Sequence, residues 1–190
     1  MTEVVQNFYG LASIVLAIGA GAVILAAVAS RFGVPWFGQL ADLIRGYELW
    51  IGFVIAAFAM AGSLYFSEVA HYIPCPLCWY QRIAMYPLVL LFGIAAIRRD
   101  RGAAIYGLAQ SLIGAAIALY HYQLEWFPEQ AALCKQGSLC HVIWFRALGF
   151  ATIPYLAFVA FCAIATVCAI GVWNNRRGDE PAIELEPDPA

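Results

Sequence analysis

The chain has 190 residues, of which 64% are hydrophobic and only 12% charged, with a formal net charge of −2. A water-soluble domain carries about 25% charged residues, so this chain has too few polar groups to cover a water-facing surface. Its mean hydropathy of +0.78 assigns the excess apolar surface to lipid. With no block of Lys and Arg to line a phosphate-binding stripe, nucleic acid is excluded as a partner.

A membrane-spanning helix needs about 20 largely apolar residues, and five segments qualify. The first covers 8–29. The ten residues from Met1 to Gly10 contain no Lys or Arg, so the positive region that opens a signal peptide is missing, and the apolar run is longer than such peptides use. The segment reads as a retained helix. Its small residues Ala17, Gly19, Ala20 and Gly21 would let another helix approach closely, or the helix serves as a plain lipid-facing anchor. The second segment covers 47–66. The third, 79–97, is shorter and carries Arg82 near its start. The fourth covers 103–122 and the fifth 150–173. The tail after Gly178 is acidic and Pro-rich, the composition of a disordered segment.

The expected fold is all-α: a polytopic membrane protein with a four-helix transmembrane bundle over 47–173. An additional N-terminal transmembrane helix with its connection occupies 1–46, and a tail occupies 174–190. Five spans put the termini on opposite sides. One set of connections holds Arg31, Arg45, Arg98, Arg99, Arg101, Arg176 and Arg177; the other holds Lys135 and Arg146. Basic residues gather on the cytoplasmic side. The expected orientation is therefore N-terminus outside and C-terminus inside, with residues 68–78 and 123–149 both outside.

That orientation places Cys75, Cys78, Cys134 and Cys140 on one oxidising face. Cys75-Pro76-Leu77-Cys78 is the strongest local motif, because two intervening residues allow an exchangeable disulfide. Cys78 falls at or near a helix N-terminus, where unpaired backbone N–H groups favour a thiolate. Pro74 and Pro76 disfavour helix before it. Arg82 lies four residues on, on the same face and one turn deeper; it either holds a thiolate or an acceptor oxygen, or snorkels to headgroups. Cys134 and Cys140 close a short polar loop whose disulfide is either reachable by a protein thiol or a static staple.

Other constellations are weaker. Cys75, Cys78, Cys134 and His141 supply zinc-ligand types without the compact spacing of structural sites, so no metal is expected. Trp79 after Cys78 rules out a CxxCH haem attachment. Cys162 and Cys168 are separated by about 600° of helix rotation and share no face; they read as small buried hydrophobes. His121, between Tyr120 and Tyr122, has the setting of a quinone-carbonyl donor and equally of an interfacial anchor. His71 and His141 read as solvated. Residues 141–150 (HVIWFRALGF) are too short to span and fit an interfacial segment that keeps the cysteine loop near the membrane.

The run CPLCWYQRIAMYPL, then a paired-cysteine loop, then ALGFATIPYLAF, resembles the disulfide bond formation protein B (DsbB) family over residues 47–173. The resemblance implies an enzyme that oxidises a soluble thioredoxin-fold partner of the DsbA type outside the cytoplasm. Electrons would pass to a membrane quinone, ubiquinone or menaquinone, in the bacterial cytoplasmic membrane. Carried over by motif, Cys134 accepts the partner's thiolate, and Cys140 attacks the Cys75–Cys78 disulfide at Cys75. Cys78 is then the thiolate facing the quinone, supported by Arg82, with His121 a weaker quinone ligand. The chain departs from the family pattern in its additional helix, in Gln81 where an acidic residue is familiar, and in the five residues between Cys134 and Cys140, a short loop that bears on partner identity.

Three rival readings stand beside this one. A vitamin K epoxide reductase-like enzyme has the loop pair before the CxxC pair, the reverse of the order here. A structural membrane protein with static disulfides would not cycle with quinone supply. A transporter would want mid-membrane polar residues, of which the helices offer little beyond Gln110 and Ser111.

Overall fold

The computed structural model describes residues 2–30, 32, 36–130, 140 and 142–178. The described residues are helical almost throughout: α1 (Thr2–Ser30), α2 (Trp36–Leu43), α3 (Glu48–Leu64), α4 (Pro76–Arg98), α5 (Ala104–Leu124) and α6 (Ile153–Gly178). Five of these, α3 lengthened by a π turn at Tyr65–Val69 and α5 by a 3-10 turn at Arg101–Ala103, are long and apolar enough to cross a membrane. With no water in the hydrocarbon to satisfy them, backbone N–H and C=O groups must pair within the segment, and a helix does that. The protein is a multi-pass membrane protein.

Helices α3 to α6 form the bundle, and glycines key it together. The core buries Phe92 and Phe161 completely. Phe92 lies against Gly107, and Phe161 against Gly114, at positions where a Cβ would collide with the ring, and Gly52 meets Phe92 in a tighter than ordinary contact. Without a hydrophobic drive between helices in lipid, such close packing is what holds them. At Pro87 the missing N–H leaves the Ile83 carbonyl without its helical donor, and one residue further Gln110 Nε2 donates across from α5 to the Ala84 carbonyl at 2.9 Å. Gln110 therefore ties α5 to α4 beside the proline. Cys168 is buried and Cys162 half-buried, both within the main core, as small apolar fillers.

Two ends result. One holds the close of α4, the start of α3 and the end of α6. There buried Asn174 donates to Glu48 Oε1 at 2.7 Å and to the Ala41 carbonyl at 3.1 Å, tying α2, α3 and α6. The other end holds the N-terminus, the CxxC motif and the segment 142–150.

The structure revises the expected boundaries in several places. α4 starts at Pro76, not Trp79, because proline is well suited to the first helical position, where its missing N–H is no loss. α6 starts at Ile153, after a tight turn in which Ala147 and Ala151 exchange N–H···O bonds of 2.9 Å. Residues 142–150 are irregular; Trp144 stacks on Tyr72 (5.0 Å, 15°) and Phe145 packs on the buried Phe66. In α1, of the two readings of its small residues, Gly19 and Gly21 take the lipid-facing one: a Cβ at either would meet nothing within 4 Å. A close approach occurs at Gly10, where a Cβ would lie 3.0 Å from Ala147 Cβ.

Candidate redox site

The site grows from the first turn of α4. Cys75 is the N-cap, in extended conformation, and its Sγ accepts the Cys78 N–H at 3.3 Å. Helix N-termini expose unpaired N–H groups that favour negative charge, and here the sulfur they meet is that of Cys75. The two sulfurs are free thiols 3.0 Å apart; about 1 Å of approach would join them.

His121 and Gln81 sit behind the pair, both buried. Gln81 Nε2 donates to His121 Nδ1 at 2.9 Å, and His121 Nε2 lies 3.5 Å from Cys75 Sγ. An Nδ1 that accepts fixes the neutral ring's proton on Nε2, so that nitrogen donates to the sulfur. The hydrogen bond with the Cys78 thiol, and after it His121, hold the Cys75 thiol below its ordinary range against the opposing effect of burial. A low-pKa thiol at a helix N-terminus beside a histidine has the setting of a reactive cysteine. Gln81, which orients the imidazole, carried no signal in the sequence, because its role depends on a partner 40 positions away.

Cys78 packs against the same cluster and also opens on a larger space. With Arg82 it lines a cavity of about 120 Å³, some tenfold what one water needs by the same measure. The walls are apolar apart from a few groups near the cysteines. Arg82 is anchored there by Nε donating to Ser63 Oγ at 3.0 Å and Nη2 donating to the Ser63 carbonyl at 3.1 Å, while its guanidinium rests 5.3 Å from the Trp79 ring centroid. Tyr86 also donates to Ser63 Oγ, at 3.1 Å. Arginine has five N–H donors, so these two bonds leave others for a ligand. Replacing Arg82 with methionine removes those donors and the charge but keeps the packing stem. We expect about a tenfold or greater rise in the apparent KM for a cavity ligand, measured by substrate titration, with the helical spectrum unchanged. An unchanged KM would make Arg82 an anchor for α3 alone.

Cys140 is buried and disulfide-bonded. It belongs to one buried cluster with Cys75, Leu77 and Leu124. Cys134 and His141, named from the sequence, lie outside the described residues. Cys75, Cys78, His121 and Cys140 are thus brought together at one end, with Arg82 on the cavity side of the pair. His121 lines a second, small cavity with Cys75, Cys78 and Trp144, and is not among the residues of the large one. Glu125 borders that small cavity too. Its Oε2 is buried with no hydrogen-bond partner, and burial pushes its carboxyl above the usual range. The Sγ atoms of Cys75 and Cys78 and a ring nitrogen of His121 lie within 4.8 Å of one another, close enough to hold a thiophilic ion. Zinc in a structural site takes four such ligands, and the described residues supply three.

The family profile described as "Disulfide bond formation protein DsbB" matches residues 47–171. The chain is 48% identical over 114 residues to "Probable disulfide formation protein" of Oceanobacillus iheyensis, covering 58% of this chain and 79% of that protein. It is 46% identical over 118 residues to "Disulfide bond formation protein C" of Bacillus subtilis, covering 61% of this chain and 86% of that protein. It is also 43% identical over 138 residues to "Probable disulfide formation protein C 1" of Bacillus anthracis, with coverage of 68% and 94%. No solved structure matches the chain. With its helical bundle, its CxxC at a helix mouth and a profile match over most of its length, the chain belongs to the DsbB family of disulfide bond formation proteins.

Proposed function

We propose that the protein is a protein-dithiol:quinone oxidoreductase of the bacterial cytoplasmic membrane, working with its cysteines outside the cytoplasm, its N-terminus outside and its C-terminus inside. Its reducing partner is a soluble thioredoxin-fold dithiol protein of the DsbA type, and its acceptor is ubiquinone or menaquinone. The observation that carries this reading is the position of the CxxC pair: Cys75 clusters with Cys140 on one side, and Cys78 opens on the apolar cavity on the other.

The steps balance as thiol–disulfide exchanges. A partner thiolate attacks the Cys134–Cys140 disulfide at Cys134 and releases Cys140 as a thiolate. The second partner thiol resolves that mixed disulfide, leaving the partner oxidised and Cys134 reduced. Cys140 then attacks Cys75 of the Cys75–Cys78 disulfide, with Cys78 as leaving thiolate, and Cys134 closes back on Cys140. Two electrons now sit on Cys75 and Cys78. A bound quinone supplies the two-electron, two-proton sink. The cavity suits it, with apolar walls and the polar groups of Arg82, Ser63 and Tyr86 grouped on the side of Cys78. His121 holds Cys75 in its anionic form through Nε2–H, and Arg82 carries positive charge beside Cys78. Water is excluded from Cys75, which is 4% exposed.

Purified full-length protein, given a reduced thioredoxin-fold dithiol protein and a short-chain quinone, should form one partner disulfide per quinone reduced, followed optically. Stable disulfides that never cycle, with no quinone consumed, would instead support a structural membrane protein.

A further inference from the structure

α1 lies outside the family match, which begins at residue 47, yet it is docked on the redox end by fitted contacts. Tyr9 stacks on Phe58 at 4.5 Å, and its hydroxyl donates to the Phe58 carbonyl at 3.3 Å. Gln6 Nε2 donates to the Tyr72 hydroxyl at 2.7 Å. Gly62 of α3 makes room for the tyrosine, since a Cβ there would lie 2.5 Å from Tyr9 Cε1. An anchor that only floats in lipid needs none of these. They are confined to the half of α1 nearest the cysteines, while Gly19 and Gly21 beyond have open space.

The docked face of α1 is also a wall of the large cavity. Tyr9, Ala12, Ser13 and Leu16 line it, at i, i+3, i+4 and i+7, the spacing of one helical stripe. The opposite face, with Phe8, Leu11, Val15 and Ile18, is exposed as a lipid-facing surface would be. The cavity is graded along the bundle. Near Cys78 it meets Arg82, Ser63 and Tyr72; further along it meets Leu16, Ile55 and Ala59. From Ser63 to Ile55 is eight residues of helix, about 12 Å. A cavity polar at the sulfur end and apolar along its depth matches a polar ring carrying a prenyl tail.

We propose that α1 is the outer wall of the quinone site, with Leu16 and Ala12 packing against the prenylated acceptor and setting how tightly it is held. This deepens the functional reading above and rests on it.

The test titrates a short-chain prenylated benzoquinone against the full chain and two single variants, one on each face of α1. Leu16→Trp fills the cavity, whereas Val15→Trp adds the same bulk on the exposed face. We expect Leu16→Trp to raise the quinone KM by about tenfold or more, with Val15→Trp unchanged and dithiol exchange at Cys140 unchanged in both. Equal KM values for both variants and the native chain would overturn the proposal. Should Leu16→Trp also lose the Cys140 exchange, its fold is disturbed, and Leu16→Ala decides. That variant cannot clash and should still raise KM severalfold, and a native KM there would overturn the proposal. A native chain that reduces no quinone at all would refute the functional reading instead, an outcome distinct from either.

Discussion

Cys78→Ser is expected to bring dithiol-driven quinone reduction down to background, a loss on the order of 10³-fold or more of the kind seen when a covalent nucleophile is removed. A serine oxygen forms no disulfide, so the inner pair can neither store two electrons nor release them to the cavity that Cys78 lines. Protein folding should survive, because the backbone N–H of residue 78 still caps onto Cys75 and the side chain is nearly the same size. The outer disulfide should still oxidise one equivalent of partner, leaving Cys134 and Cys140 as thiols that are not reoxidised. Measurable steady quinone reduction by this variant would mean that the acceptor is served by another sulfur.

Cys140→Ser is expected to separate the two halves of the relay. Cys75 is 4% exposed and packed with Leu77, Leu124 and Cys140, so a folded partner has no approach to it except through the outer pair. Turnover with a protein dithiol should fall by a factor on the order of 10³. Reduction of quinone by a small membrane-permeant dithiol should persist, because the inner pair and the cavity are untouched. Parallel rate measurements with the two reductants check this, and equal losses with both would place Cys140 in the structure of the inner site and not upstream of it.

Much of the architecture is legible in the sequence because hydrocarbon leaves the backbone so few options. The five apolar runs become five helices, and Cys75, Cys78 and Cys140 gather at one end of the bundle. The helix boundary at the motif is harder to read. Pro76 looks like a helix breaker when taken alone, and only the placement of Cys75 as N-cap shows it to be the opening residue. That same shift moves the first-turn N–H bond onto the sulfur of Cys75, whereas the sequence pointed to Cys78 as the thiolate. α2 is too short for hydropathy to find. Ser63 and Gln81 reach Arg82 and His121 through contacts across the bundle, and nothing local distinguishes them from other polar residues in membrane helices. The small residues of α1 suit either a contact or a lipid-facing stretch, and which half of the helix docks is set by tertiary packing against Gly62 and Ala147. Arg82 was legible from its offset to Cys78, although its anchor was not.

The central claim is that electrons leave through the Cys75–Cys78 pair. Its most direct test is a single turnover on fully reduced protein, mixed anaerobically with one equivalent of short-chain quinone, then alkylated and mapped by peptide mass spectrometry. The account predicts two thiols lost per quinone reduced, with Cys75–Cys78 the first disulfide to form and the Cys134–Cys140 disulfide following only as further quinone is supplied. A first disulfide at Cys134–Cys140 with Cys75 and Cys78 still alkylated, or quinone consumed without any loss of thiol, would contradict it.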